Sequence, residues 1–296
     1  MGRLIRGTSK NARFIIVDST DIIQEAWNIH QCTPTTMDAF GRMLTAGIIM
    51  GSDLKGDDLL TIRTDTNGPL KNIIVTSDAH GGVKGYVANP QADAPPKENG
   101  KRNVPALMGS GTLKIIKDMG LKEPYVGISQ LVSGGIAEDL AYYYYTSEQT
   151  PTVLALGVDF ADEKTIKKAG GYMIQLLPGA DESFITFLEE KVKAIRDITE
   201  LLAGGMSLED IAKLIYDDMS TEDDTPIEEY QILEEEAIRY SCNSNKEKFY
   251  RGLLTLGKEE LTKIFKEEEK LEVECHFCKK KYTFTEDDFK DILEEK

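Results

Sequence analysis

Asp58-Leu-Leu-Thr-Ile-Arg63 and Asn72-Ile-Ile-Val-Thr-Ser77 are two short apolar, β-branched runs, and Asn67-Gly68 lies between them. Each run reads as a strand, and Asn-Gly between two such runs is a strong hairpin signal. The pattern continues outward. Gly81-Gly82 and Val83-Lys-Gly-Tyr-Val87 extend the β-rich stretch, and Phe14-Ile-Ile-Val17 upstream reads as a buried strand. Leu113 to Lys117, Tyr125 to Gln130, Val153 to Phe160 and Gly171 to Leu177 read as further strands. Between the first strands, Thr35 to Met50 carries Met37, Phe40, Leu44 and Ile48 at helical spacing after the break at Thr33-Pro34. Gly134 to Glu148 and Asp181 to Leu202 also read as helices, while the Pro-rich, polar stretch over residues 89–102 reads as a surface loop. Runs of strands followed by helices predict an α+β fold whose N-terminal sheet is mostly antiparallel, with packed helices.

A composition shift follows. Ser207 to Tyr216 reads as a short helix, with Ser207 as N-cap and Asp210 three residues on. Asp217 to Glu236 is strongly acidic and poor in large apolar residues, which predicts a linker. The expected organisation is an N-terminal core domain over residues 1–180, a helical and acidic linker region over 181–238, and a small cysteine-bearing domain over 239–296.

The 296 residues are 41% hydrophobic and 29% charged, ordinary for a globular chain with a sizeable core. The formal net charge of -16 argues against nucleic acid and anionic membranes as partners, since neutralising phosphates needs clustered Lys and Arg. No apolar run reaches the roughly 18 residues that span a bilayer, and the opening residues are too short and polar for a signal peptide. Four cysteines in a chain of this length do not make a disulfide scaffold, so the expectation is a cytoplasmic protein with reduced thiols.

Three of those cysteines lie near the C-terminus. Cys275-His-Phe-Cys278 is a C-x-x-C knuckle, a spacing that lets two thiolates reach one tetrahedral metal ion. Cys242 lies upstream, beyond a helix-like stretch from Lys246 to Phe265. A module this small buries little core of its own, and a bound metal would supply folding free energy on the order of 10 kcal/mol. Zinc is the favoured reading. Ordinary structural thiols and a thioredoxin-like pair are the alternatives, the latter lacking its usual βαβ context. His276 is a candidate fourth ligand, although a residue at that place more often points outward.

Other features read blandly. Cys32, two residues after His30, reads as a buried structural thiol rather than a nucleophile paired with that histidine, since no acid or oxyanion partner is evident. Gly81-Gly82, Gly109-Ser-Gly111 and Gly134-Gly135 fit no phosphate-binding pattern and read as turns. His80 reads as a turn residue. The run Tyr142 to Tyr145 reads as half core, with a patch that contacts other protein chains as the sharper alternative. No constellation for hydrolysis, phosphoryl transfer or hydride transfer is recognisable, and the chain does not read as an enzyme.

Taken together, several stretches resemble the bacterial 33 kDa heat-shock chaperonins, redox-regulated holdases. They are Thr36-Met-Asp-Ala-Phe-Gly-Arg-Met-Leu-Thr-Ala-Gly47, Gly81-Gly82-Val-Lys-Gly-Tyr86, Gly109-Ser-Gly111 and Gln130-Leu-Val-Ser-Gly-Gly-Ile-Ala-Glu-Asp139. Gln175-Leu-Leu-Pro-Gly-Ala180, Tyr240-Ser-Cys-Asn-Ser-Asn-Lys-Glu-Lys248 and Glu274-Cys-His-Phe-Cys278 complete the set, which spans nearly the whole chain.

The resemblance implies one zinc ion held, in the reduced state, by a C-x-C and a C-x-x-C pair. It implies activation by oxidation of both pairs to disulfides, with zinc release, unfolding of the C-terminal part and the linker, binding of unfolded client proteins without ATP, and dimerisation. The chain departs from that pattern at Ser244, where the family has the second cysteine of C-x-C. A serine hydroxyl stays protonated at neutral pH and is a poor zinc ligand. The expected metal set is therefore Cys242, Cys275 and Cys278 with water, Ser244 or His276, holding zinc less tightly. The expected redox disulfide is Cys275–Cys278, and Cys242 has no partner thiol at Ser244. The rival functions are a thiol-disulfide oxidoreductase and a zinc-dependent protein-interaction module.

Overall fold

The computed structural model describes residues 2–216 and 228–293. The chain forms two units, Met1–Tyr240 and Ser241–Lys296. The first contains β1 (Gly2–Ser9), β2 (Ala12–Asp18), α1 (Thr20–His30), α2 (Pro34–Gly51), β3 (Leu59–Thr66), β4 (Ile73–Asp78), β5 (Gly82–Val87) and α3 (Val104–Met108). It continues through β6 (Gly111–Asp118), β7 (Tyr125–Gln130), α4 (Ala137–Tyr143), β8 (Thr152–Phe160), β9 (Ile166–Leu176), α5 (Glu182–Ala194), α6 (Ile198–Ala203), α7 (Leu208–Tyr216) and β10 (Tyr230–Tyr240). The strands form one sheet in the order β7-β6-β3-β4-β5-β10-β1-β2-β9-β8.

The expected α+β class holds, and the sheet is antiparallel except where β5 meets β10 in parallel. The hairpin predicted around Asn67-Gly68 is β3–β4, with Ile62 opposite Val75.

The unbroken apolar run of β2 has a physical reason. Ile15 and Val17 point into a core under α1 and α2, while Phe14 and Ile16 point into a second core under α5, α6 and α7. A strand covered on both faces needs apolar residues at every position rather than at alternate ones. The helix α2 is buried almost along its whole length. It starts where Thr33 caps the Thr36 amide, ahead of Pro34 in the first turn.

The structure departs from the sequence expectation on three points. Gly2–Ser9, which carried no strand signal, is β1. The single helix expected over Asp181 to Leu202 breaks between α5 and α6 at Ile195 to Asp197. The third concerns the linker expected over residues 181–238. Helices α5, α6 and α7 pack on the sheet, and the acidic Tyr230–Glu236 belongs to β10, inside it. Composition misleads here because the acidic side chains find cations across the ladder. Glu235 meets Arg3 at 2.6 Å and Glu234 meets Arg6 at 2.6 Å, partners 232 and 228 positions away in sequence. Residues 217–227 of the expected linker lie outside the described residues. The expected Ser207 cap is present and reciprocal: the Asp210 amide donates to Ser207 Oγ at 3.1 Å, and the Ser207 amide donates to Asp210 Oδ2 at 3.0 Å.

The second unit contains α8 (Lys246–Leu254), α9 (Gly257–Glu267), the hairpin β11 (Leu271–Glu274) and β12 (Lys281–Phe284), and α10 (Lys290–Leu293). Its core is small. Leu261, Phe284 and Phe289 are fully buried, with half-buried residues such as Phe249, Tyr250 and Phe265 around them. The helix-like stretch expected over Lys246 to Phe265 is two helices, parted at Thr255 and Leu256.

Candidate metal centre

The site is built on the β11–β12 hairpin. Glu274 pairs with Lys281, and the turn beyond that pair is the C-x-x-C knuckle. The Cys275 amide donates to the Lys280 carbonyl at 2.9 Å, and the Lys279 amide donates back to the Cys275 carbonyl at 2.8 Å. Lys279 takes φ +57°, in the left-handed region, to close this turn. Backbone amides of Cys278 and Phe277 thereby point at the Cys275 sulfur. Burial by itself would raise the Cys275 thiol, but these amides and the Ser244 hydroxyl outweigh it and hold Cys275 below the usual thiol range. Of the lysines that follow the knuckle, Lys279 pairs with Glu274 at 3.0 Å and Lys281 with Glu272 at 2.8 Å.

Cys242 reaches the same place from the other direction. The chain enters the unit at Ser241 and turns into α8 at Asn245, whose side chain caps the Lys248 amide at 2.8 Å. Cys242 Sγ lies 3.8 Å from Cys275 Sγ, and the sulfurs of Cys242, Cys275 and Cys278 all lie within 4.8 Å of one another. Burial is the main cause that raises the Cys242 thiol.

These distances fit a metal. A tetrahedron with metal–sulfur bonds of about 2.3 Å has edges of about 3.8 Å. Thiolate donors at that spacing suit a borderline-soft ion such as zinc. The three cysteines singled out by spacing are therefore brought together, and their cluster could hold a metal ion.

Ser244 occupies the remaining side of the cluster. Its hydroxyl lies 3.2 Å from Cys278 Sγ and contacts the sulfurs of Cys242 and Cys275 as well. It is also 2.9 Å from the hydroxyl of Tyr282, which donates to the Ser244 carbonyl at 2.9 Å. Phe249 packs against the Tyr282 ring with centroids 5.0 Å apart and holds it in place. Tyr282 was not visible as a site residue in the sequence. Its spacing from Cys278 matches no ligand pattern, and only the fold of β12 turns it toward Ser244. His276 is exposed and lies outside the group of three thiols.

The other flagged residues are placed elsewhere. Cys32 is buried, and its carbonyl accepts from Trp27 Nε1 at 2.8 Å; His30 Nε2 meets the Tyr240 hydroxyl at 3.1 Å. His80 sits in a turn where Asp78 Oδ1 accepts from its amide and from that of Gly82. Tyr143 and Tyr144 are buried, whereas Tyr142 and Tyr145 are exposed. No helix among the described residues is long and apolar enough to cross a membrane.

Comparison with known proteins agrees with these features. The chain matches the family described as "Hsp33 protein" over residues 2–285. It is 42% identical over 296 residues to the 33 kDa chaperonin of Clostridium botulinum (strain 657 / Type Ba4), covering 99% of this chain and 97% of that one. It is 44% identical over 299 residues to the 33 kDa chaperonin of Clostridium perfringens (strain SM101 / Type A), covering 99% and 92%. Among solved structures, the 33 kDa chaperonin (heat shock protein 33 homolog) of Thermotoga maritima superposes with a TM-score of 0.86 at 32% identity, covering 98% of this chain and 97% of that one. These relatives are chaperones rather than enzymes, and the oxidoreductase alternative finds no support among them. A chain matched along its full sheet and through its thiol knuckle is a member of the Hsp33 family of chaperones.

Proposed function

We propose that this chain is an ATP-independent holdase of the cytoplasm, switched by oxidation at its C-terminal thiols. The observation that carries the reading is the cluster of Cys242, Cys275 and Cys278 in a unit whose fully buried apolar core is so small. Cys242, Cys275 and Cys278 would hold zinc, whose binding would supply the main folding free energy of the unit, on the order of 10 kcal/mol in comparable modules. Ser244, held by Tyr282, offers a neutral hydroxyl beside Cys278, so the ion would be held less tightly than by four thiolates.

Activation runs through Cys275 and Cys278. The Cys275 thiolate attacks the O–O bond of a hydroperoxide; the bond breaks and leaves Cys275 as a sulfenic acid and the oxidant as water or alcohol. The Cys278 sulfur then attacks the sulfenic sulfur, forming the Cys275–Cys278 bond and releasing water. Two thiols have lost two electrons to the hydroperoxide. Two of three donors are then gone, and Cys242 with Ser244 offers one thiolate, too few to keep the unit folded. The acidic segment that leads into Cys242 loses its anchor, apolar surface becomes available to unfolding proteins, and activated chains pair as homodimers. Binding of unfolded chains by mass action opposes their aggregation without nucleotide.

The test measures zinc content, thiol count, sedimentation and light-scattering protection of a denatured client, before and after peroxide. Expected are up to one zinc per chain when reduced, loss of two thiols with zinc on oxidation, and protection that rises with that loss. Tight zinc retention after peroxide, or protection indifferent to oxidation, would sink the switch.

A further inference from the structure

The strand β10 is held in an unusual way for one in the middle of a sheet. It pairs with β1 along its length, from Gly2 opposite Ile238 to Ser9 opposite Tyr230, with a bulge between Arg6 and Gly7. On its other side it pairs with β5 only at Arg239 and Tyr240. Gln231 to Glu235 are exposed, including the apolar Leu233 at 62%. The middle of β10 is thus an edge strand carried by one ladder and by exposed pairs of Glu234 with Arg6 and Glu235 with Arg3. Its ends are pinned by aromatic rings: Tyr230 stacks on Tyr216, and the Tyr240 hydroxyl donates to the Gly85 carbonyl. Past Tyr240, one residue separates this pin from Cys242.

We infer that β10 is an internal stand-in for the client. When the C-terminal unit unfolds, β10 withdraws and an extended client segment takes its place on β1. The inference rests on the holdase reading and adds the site and the chemistry of its occupant. A vacated β1, still paired with β2 on its other side, presents the amides and carbonyls between Gly2 and Ser9 that now face β10, a template for an added strand. It also presents the guanidiniums of Arg3 and Arg6 without the β10 carboxylates that now face them. The occupant that fits is therefore an extended segment bearing two or three carboxylates among apolar residues, as in Ile232-Leu-Glu-Glu-Glu-Ala-Ile238. A purely apolar segment would leave Arg6 without a carboxylate and Arg3 with Glu209 on α7 alone.

The test uses the full chain and a fluorescent peptide with the sequence of residues 230–240, beside a scrambled peptide of equal composition. Anisotropy is read on the reduced, zinc-loaded chain and on the peroxide-oxidised chain, and light-scattering protection is read on the same samples. Expected is peptide binding at least tenfold tighter to the oxidised chain than to the reduced one, tenfold tighter than the scrambled peptide, and loss of protection in step with occupancy. The double variant R3E/R6E separates recognition from mere loosening. Freeing β10 alone would increase peptide binding, whereas loss of the two guanidiniums should weaken it tenfold in the oxidised chain. Protection that persists with the peptide bound, binding equal to the scrambled control, or unweakened binding by the double variant overturns the inference and leaves the holdase reading standing. Absence of protection in either redox state overturns both.

Discussion

Ser244 concentrates the chemistry of the candidate metal centre in one atom. Its hydroxyl sits among the three sulfurs and shares a hydrogen-bond pair with Tyr282. Replacing Ser244→Cys supplies a fourth thiolate at that position. Metal retention against a competing chelator should rise by at least roughly tenfold, and peroxide should then consume four thiols instead of two, read by thiol titration. Tyr282→Phe removes the donor to the Ser244 carbonyl, a loss of about 1 kcal/mol. The expected result is faster metal release and weaker amide protection in residues 241–245, with no change in the sheet unit; unchanged release would show that Tyr282 does not position Ser244. At this scale the sequence was legible wherever spacing carries chemistry, as at Cys275 and Cys278. Ser244 was legible only through the resemblance, and Tyr282 not at all, because its role depends on a side-chain direction set by the β11–β12 register.

Elements were legible where both faces or one face are apolar, as in β2, β3, β4 and α2. Strands β1 and β10 were missed for a common reason: each carries charges that look solvated until the other is placed beside it. Arg3 bridges Glu235 on β10 and Glu209 on α7, both at 2.6 Å. Burial would raise the Glu209 carboxyl, but the Arg3 hydrogen bonds outweigh it and hold it below the usual carboxylate range. A carboxyl lowered in the folded state stabilises above its unfolded pKa, and that stabilisation is lost as pH falls through the folded value. Acidification through the carboxylate range should therefore loosen this contact, by under about 1 kcal/mol because the pair is exposed and screened. Hydrogen exchange along β10 should quicken with acid more in the wild-type chain than in Glu209→Gln, after correction for intrinsic rates. Equal quickening would assign the effect to other groups.

For the whole molecule, the two units differ in what holds them. Among the described residues, the first has two apolar cores on opposite faces of ten strands, and the second a cluster of three fully buried apolar side chains, Leu261, Phe284 and Phe289. Chelation at neutral pH should consequently erase protection across residues 241–293 while the sheet from β2 to β9 keeps its melting transition, checked by hydrogen exchange and calorimetry. A single transition lost with the metal would contradict the division.

The amino-acid sequence by itself determined the α+β class, the central hairpins and the zinc-type thiol spacing, because periodicity and short-range spacing act over neighbouring residues. Through the resemblance it also supplied the family and the expectation of a fourth thiolate where Ser244 stands. Only the tertiary structure decided that an acidic stretch lies in the sheet beside β1 and that Tyr282 braces the serine. Both depend on pairing between residues far apart in the chain, where charge is cancelled and direction is set by the partner.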